Sequence, residues 1–218
     1  MISFVAGLSL GLSLIVAIGA QNVFVLRQGI RREHVAVVVL ICALSDAVLI
    51  VAGVAGLGFL LERMPWLMDA ARWLGAAFLL AYGLLAARRA LWGGDATLTT
   101  NEGTSTRVSG STHVATRPAT APVPIVLTVL ALTWLNPHVY LDTVLMLGSI
   151  ASTHGESRWV FAAGAITASV LWFTALGFGA RRLGRRLDTP KAWRILDAVI
   201  AVVMIVIAVS LMLPVIIG

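Results

Sequence analysis

The sequence predicts an all-α membrane protein, six transmembrane helices arranged as two inverted three-helix repeats, on three observations. The 218 residues are 59% hydrophobic and 12% charged, with mean hydropathy +0.96, whereas soluble domains carry about 25% charged residues. Six apolar runs each exceed the roughly 20 residues that a spanning helix needs. One polar segment divides those runs three and three. The alternating segments of about ten residues that mark a membrane β-barrel are absent.

The first run, Phe4–Leu26, carries Gly7 and Gly11 in a small-xxx-small pattern that reads as internal helix packing, with a dimer contact as the other use. It has no basic residue ahead of it, so it is read as a retained helix and not a cleaved signal. Within it lies Gly19-Ala20-Gln21-Asn22. Two adjacent amides in lipid need partners. Either they bond neighbouring helices at a packing notch, or they mark loosened backbone, with Gly19 as the break, that lines a substrate path.

The second run, Val35–Leu61, holds Ser45 and Asp46 near its middle. A charge at the bilayer centre costs roughly 2.5–3.5 kcal/mol or more, so such a carboxylate is kept to pair with a cation or to carry a proton. No basic residue lies deep in a predicted helix, which argues against a permanent internal ion pair for Asp46. The third run, Met68–Leu91, is followed by Gly93–Val123, rich in Thr, Ser, Gly, Pro and Ala. That composition cannot support a core and suits a flexible tether, with regulatory binding as the lesser use. The domains are therefore 1–92 and 124–218, joined by the linker 93–123.

The fourth run, Pro124–Ile150, contains Asn136-Pro137-His138-Val139-Tyr140-Leu141-Asp142. Pro137 has no amide hydrogen, so the Thr133 carbonyl loses its helical partner and the helix should kink. Free carbonyls at membrane depth are tolerated where they face protein or a cavity, and Asn136, His138, Tyr140 and Asp142 would line one. The fifth and sixth runs are Val160–Leu183 and Trp193–Ile217.

The net charge of +6 and pI near 11.0 do not point to nucleic acid, because the basic residues sit at predicted helix ends. Loops one, three and five hold Arg27, Arg31 and Arg32, then Arg88, Arg89, Arg107 and Arg117, then Arg181, Arg182, Arg185, Arg186, Lys191 and Arg194. Loops two and four hold only Arg63, Arg72 and Arg158. The positive-inside bias puts the odd loops, the linker included, in the cytoplasm and both termini outside. Trp66, Trp92, Trp159 and Trp193 suit an interfacial belt, and Arg181, Arg182, Arg185 and Arg186 suit anionic lipid. The single Cys42 excludes an internal disulfide and a cysteine-based zinc cage. His34, His138 and His154 show no metal-ligand spacing.

The two halves show faint similarity. Asp46-Ala47-Val48-Leu49-Ile50 can be laid over Ser169-Val170-Leu171-Trp172-Phe173, Arg72-Trp73-Leu74-Gly75-Ala76 over Arg194-Ile195-Leu196-Asp197-Ala198, and Asn22 matches Asn136. Three helices is an odd number, so the second copy is inverted in the membrane. Inverted repeats with broken helices meeting at the midplane are a plan of secondary transporters.

At Gly19 to Ile30, Cys42 to Asp46 and Thr133 to Thr143, and again at Phe161 to Ala165 leading to Ser169 and Trp172, the chain resembles the lysine exporter (LysE/ArgO) family of bacterial basic-amino-acid exporters. The resemblance covers nearly all of the chain outside the linker. It implies efflux of L-arginine and L-lysine across the bacterial inner membrane, with no cofactor and no enzymatic activity. The wider superfamily also exports neutral amino acids, and some relatives handle metal ions. The family usually places a proline where this chain has Ala20, so a milder break in the first helix is expected here. The proton is the expected coupling ion, with Asp46 and Asp142 as exchange groups and Gln21, Asn22 and Asn136 as substrate contacts. A passive channel would not accumulate substrate outside. An intramembrane aspartyl protease would show a Gly-x-Gly-Asp type motif, which neither Asp46 nor Asp142 has. A homo-oligomer is compatible with the sequence.

Overall fold

A computed structural model of the protein describes residues 1–17, 19–58, 63, 65–92, 122–183 and 190–217. These form α1 (Ile2–Ile15), α2 (Ala20–Arg31), α3 (Val35–Val54), α4 (Pro65–Trp92), α5 (Pro122–Trp134), α6 (Pro137–Ser152), α7 (Arg158–Leu183) and α8 (Pro190–Ile217). No strand occurs among the described residues. Residues 93–121 of the expected linker, with Arg107 and Arg117, lie outside the described residues, as do Arg185 and Arg186.

Four of the helices are long and apolar enough to cross a membrane, and six spans result if each bent pair counts as one. The bent pairs are the first and fourth predicted runs. α1 and α2 meet at 82°, and α5 and α6 at 57°. Of the two breaks, the one without proline is the sharper.

The helices approach one another where side chains are smallest. Gly7 and Gly11 of α1 are buried against Phe161 and Ala165 of α7, and Gly164 of α7 lies on the Phe4 carbonyl. Gly53 of α3 and Gly148 of α6 lie backbone to backbone. A Cβ at Gly7, Gly53, Gly148 or Gly164 would meet a backbone atom, so each glycine sets a close approach. Gly7 and Gly11 thus serve internal packing. α4 packs along α8, α1 and α2 along α7, and α3 against α5, α6 and α7.

The outward faces are apolar. Leu40, Leu44, Val48 and Val51 are exposed along one side of α3, and Val199, Val202, Val206, Val209 and Leu213 along one side of α8. Spacings of three and four residues put each set on one helix face. An exposed apolar face on a helix of this length is what lipid solvates and water does not. Trp66 and Trp159 are also exposed near helix ends.

Candidate functional site

The two breaks face one cavity of about 370 Å³, a size within the range of about 300–1,000 Å³ common for small-ligand sites. Its walls include Gly19, Gln21 and Asn22 from the first break, Asn136, His138 and Asp142 from the second, and Asp46 from α3. α8 closes one side with Ile207 and Ser210, and Phe173 of α7 adds an apolar wall. Ser45, Pro137 and Tyr140 stand behind this lining.

The first break is held by an amide. Gly19 is the N-cap residue of α2 in extended backbone, φ −128° and ψ 169°. The last carbonyls of α1 have no helical N–H to accept from. Asn22 Nδ2 donates to the carbonyls of Ile15 and Ala17, both at 2.7 Å. Asn22 Oδ1 accepts from Trp172 Nε1 of α7 at 3.2 Å. The Asn22 amide is thereby occupied, which is the neighbour-bonding use expected of it as one of two alternatives. Gln21 differs: it is buried at the cavity wall, and its Nε2 has no hydrogen-bond partner among the described residues.

The second break is organised by Asn136 and Pro137. Asn136 caps α6, its Oδ1 accepting from the His138 amide at 3.1 Å, and Pro137 occupies the first turn, where a missing amide hydrogen does no harm. The Thr133 carbonyl released by Pro137 accepts a long bond, 3.4 Å, from the Asn136 amide, which closes a tighter turn of three residues. The Trp134 carbonyl accepts from Tyr140 Oη at 2.7 Å. Tyr140 therefore braces the break from behind. Ser45 does likewise from α3, accepting from Trp134 Nε1 at 3.3 Å. Beyond the cap, Tyr140–Met146 winds as a wide π-helical stretch, a distortion frequent at functional sites. It carries Asp142, half-buried at the cavity, and Thr143.

Asp46 is 4% exposed and makes no ion pair among the described residues. Ser169 Oγ of α7 donates to its Oδ2 at 2.8 Å. A buried carboxylate with one hydroxyl donor, beside a cavity that also holds Asp142, can receive a cation or a proton and release either.

Two features escaped sequence reasoning. Ser169 gave no chemical signal of its own; the pointers to it were the overlay of the two halves and its place in one of the stretches that carry the family resemblance. Arg27, expected in the first loop, lies inside α2 at 6% exposure. Its Nη2 pairs with Asp197 Oδ1 of α8 at 3.0 Å, and its Nη1 donates to Tyr82 Oη of α4 at 2.8 Å. The expectation that no basic residue lies deep in a helix is thus corrected. The signal available was Asp197 itself, an acid in the last apolar run that needed a cation.

With this geometry in hand, comparison with known proteins is informative. A Mycobacterium tuberculosis protein, named as an amino-acid transporter without a stated substrate, is 50% identical over 91% of this chain and 90% of its own. The lysine exporter LysE of Corynebacterium efficiens is 40% identical over 96% of this chain and 98% of its own. The arginine exporter protein ArgO of Salmonella newport is 44% identical over 94% and 90%. No solved structure matches. The family model for LysE type translocators matches residues 12–214, spanning both breaks, Asp46 and every residue that lines the cavity. The chain belongs to the LysE type translocator family.

Proposed function

We propose that this chain exports basic L-amino acids, arginine or lysine, from the bacterial cytoplasm across the inner membrane, by antiport with protons and alternating access. One observation carries the proposal: Asp46, buried and without a cationic partner among the described residues, opens onto a cavity at the junction of two broken spans. Relatives over nearly the whole chain are named as lysine and arginine exporters. Asp46 and Asp142 come from different helices, and two carboxylates select a cationic ligand over a neutral one. The Gln21 amide, at the cavity wall and with no hydrogen-bond partner for its buried Nε2 among the described residues, is the group suited to the substrate carboxylate. Asn22 and Asn136 hold the walls in place.

Moving one positive charge outward against an inside-negative potential costs about 2.3 kcal/mol per 100 mV. Exchange of one proton for one cationic amino acid moves no net charge, so pH and substrate gradients supply the drive. The Asp46–Asp142 pair binds the cation when ionised and takes up one proton in its place once it has left. Ser169 keeps the Asp46 carboxylate aimed while its occupant changes.

Alternating access follows from inverted repeats, 1–92 and 124–218 about the tether 93–123. Two contacts between overlaid positions support this reading, since residues close to a two-fold axis in the membrane plane lie beside their counterparts. Asp46 meets Ser169, its overlaid counterpart. The register that lays Arg72 over Arg194 also lays Gly83 over Ile205, and a Cβ on Gly83 would come 3.0 Å from Ile205 Cγ1. The positive-inside bias supports cytoplasmic loops one, three and five, with both termini outside.

Export of arginine and lysine from dipeptide-fed, exporter-deficient cells tests the proposal. The intact protein should export at least one of the two, and Asp46→Asn should reduce that rate by about 100-fold or more, as loss of the exchanging group implies. Parental rates in Asp46→Asn at equal membrane content would sink the antiport scheme. Export of threonine or homoserine, or of a divalent metal ion, in place of both basic amino acids would move the substrate assignment.

A further inference from the structure

A second constellation lies away from the cavity, toward the end of the bundle where α2 and α4 finish and α8 begins. Arg27 is seven residues beyond the cavity-lining Ala20, about 10 Å along α2. Asp197 is ten residues before the cavity-lining Ile207, about 15 Å along α8. The Arg27–Asp197 pair closes at 3.0 Å, and Arg89 of α4 brings Nε to 3.7 Å from the same Asp197 oxygen. Tyr82 Oη takes the second arm of Arg27, while the Tyr82 ring stands edge-on to Phe24 at 6.1 Å. Phe24 is 3% exposed and sits one helical turn past Ala20. A layer of aromatic rings and then ions thus separates the cavity from that end of the bundle.

Three properties distinguish this layer from ordinary packing. It joins α2 and α4 of the first half to α8 of the second, so relative movement of the halves must break it. Among the described residues it is electrically unbalanced, two guanidinium groups against one carboxylate, and Arg27 Nε, Arg89 Nε, Arg89 Nη2 and Asp197 Oδ1 are buried without hydrogen-bond partners, the pair being held by charge. It is also a poor stabiliser: a buried ion pair scarcely repays its desolvation, and its best-attested use is to fix one arrangement against another. A permanent strut would satisfy its donors. A contact that has to part does better with some of them unmet.

We propose that the Arg27–Asp197 pair, backed by Arg89, Tyr82 and Phe24, is the gate that shuts the cavity from the α2–α3 loop side of the membrane, and that it parts to admit substrate. The gate rests on the transport reading above, but its test does not use transport. Ser210→Cys, at the cavity wall, is placed in the full chain with Cys42→Ala, and its reaction with a membrane-impermeant maleimide is timed in vesicles of each orientation. With the gate intact, labelling from the α2–α3 loop side is slow. Asp197→Asn, which leaves two buried guanidiniums facing no carboxylate, should speed labelling from that side about tenfold or more, with little change from the other side. Ile207→Cys serves as an independent reporter and should behave alike. Equal rates in the presence and absence of Asp197, or rapid labelling with the pair intact, would overturn the gate. If labelling behaves as expected while no basic amino acid is exported, the gate stands and the substrate assignment falls; the reverse result sinks the gate alone.

Discussion

At the first break no proline is present and the two helices meet at 82°, whereas at the second Pro137 opens α6 and the angle is 57°. Proline is therefore not what sets the depth of a break in this bundle. What the breaks share is a side-chain amide holding backbone groups that a broken helix would leave bare in lipid, where each unmet group costs several kcal/mol. Asn22 holds carbonyls of the segment before its break, and Asn136 holds an amide of the segment after. The amides differ in load: Asn22 makes three hydrogen bonds and ties α1, α2 and α7 together, while Asn136 makes one side-chain bond and relies on Pro137 and Tyr140 for the rest. The comparison also sorts the cavity wall. Asn22 is fully engaged in this state, whereas Asp46, Asp142, His138, Ser210 and the Asn136 Nδ2 are polar groups at the wall that such bonds do not use up.

The largest effect should come from Asn22→Ala. It strips partners from two carbonyls and the Trp172 indole at once, and unmet groups cost about 1–3 kcal/mol each where water cannot reach them. A net loss of about 2–3 kcal/mol is expected, seen as a clear fall in thermal midpoint in detergent, together with loss of transport. If Asn22→Ala unfolds no earlier than the parent, the first break is held by something other than this amide.

Asn136→Ala should be milder, about 1 kcal/mol, the usual worth of an N-cap, because Pro137 keeps its backbone angle and Tyr140 still holds the Trp134 carbonyl. The same thermal measurement orders the pair. A loss at position 136 equal to or above that at position 22 would reverse the comparison and make the proline-bearing break the more amide-dependent one.

How much of this was legible in the sequence follows the same division. Spans are read from apolar length, and each of the six runs holds helix, although α3 ends at Val54, short of the expected Leu61. Polar residues inside those runs stand out against lipid-compatible neighbours, so Asp46, Gln21, Asn136 and Asp142 could be assembled into one site before any coordinates. Ser169 could not, since a lone serine is common in membrane helices and bonds its own backbone as readily as a distant carboxylate. Arg27 was hidden for another reason. It lies near the end of an apolar run, where a charge reads as an interfacial anchor, and only the fold shows that α2 carries on to Arg31 and brings Arg27 against Asp197, far along the chain. What holds the first break was also hidden, because proline is a visible breaker, whereas an amide reaching backward to bare carbonyls is visible only in three dimensions.

The smallest effect tests that last point directly. Ala20 is the first residue of α2, where proline's missing amide hydrogen is tolerated and its fixed φ suits a helix start. Gly19 before it is already extended, the conformation a following proline demands. Ala20→Pro should therefore keep the fold and the transport rate, and gain about 0.4–1 kcal/mol by restricting the unfolded chain. The gain is trimmed by whatever shift the buried site needs to admit the ring, since Ala20 is 1% exposed. The readout is again the thermal midpoint, unchanged or slightly raised, beside unaltered export. A large fall would mean that the 82° geometry depends on alanine at this place, and that the first break in this chain differs in kind from one that begins with proline. No fall would show that the proline-free break is already in the conformation proline would impose, with Asn22 supplying the restraint that the ring supplies at Pro137.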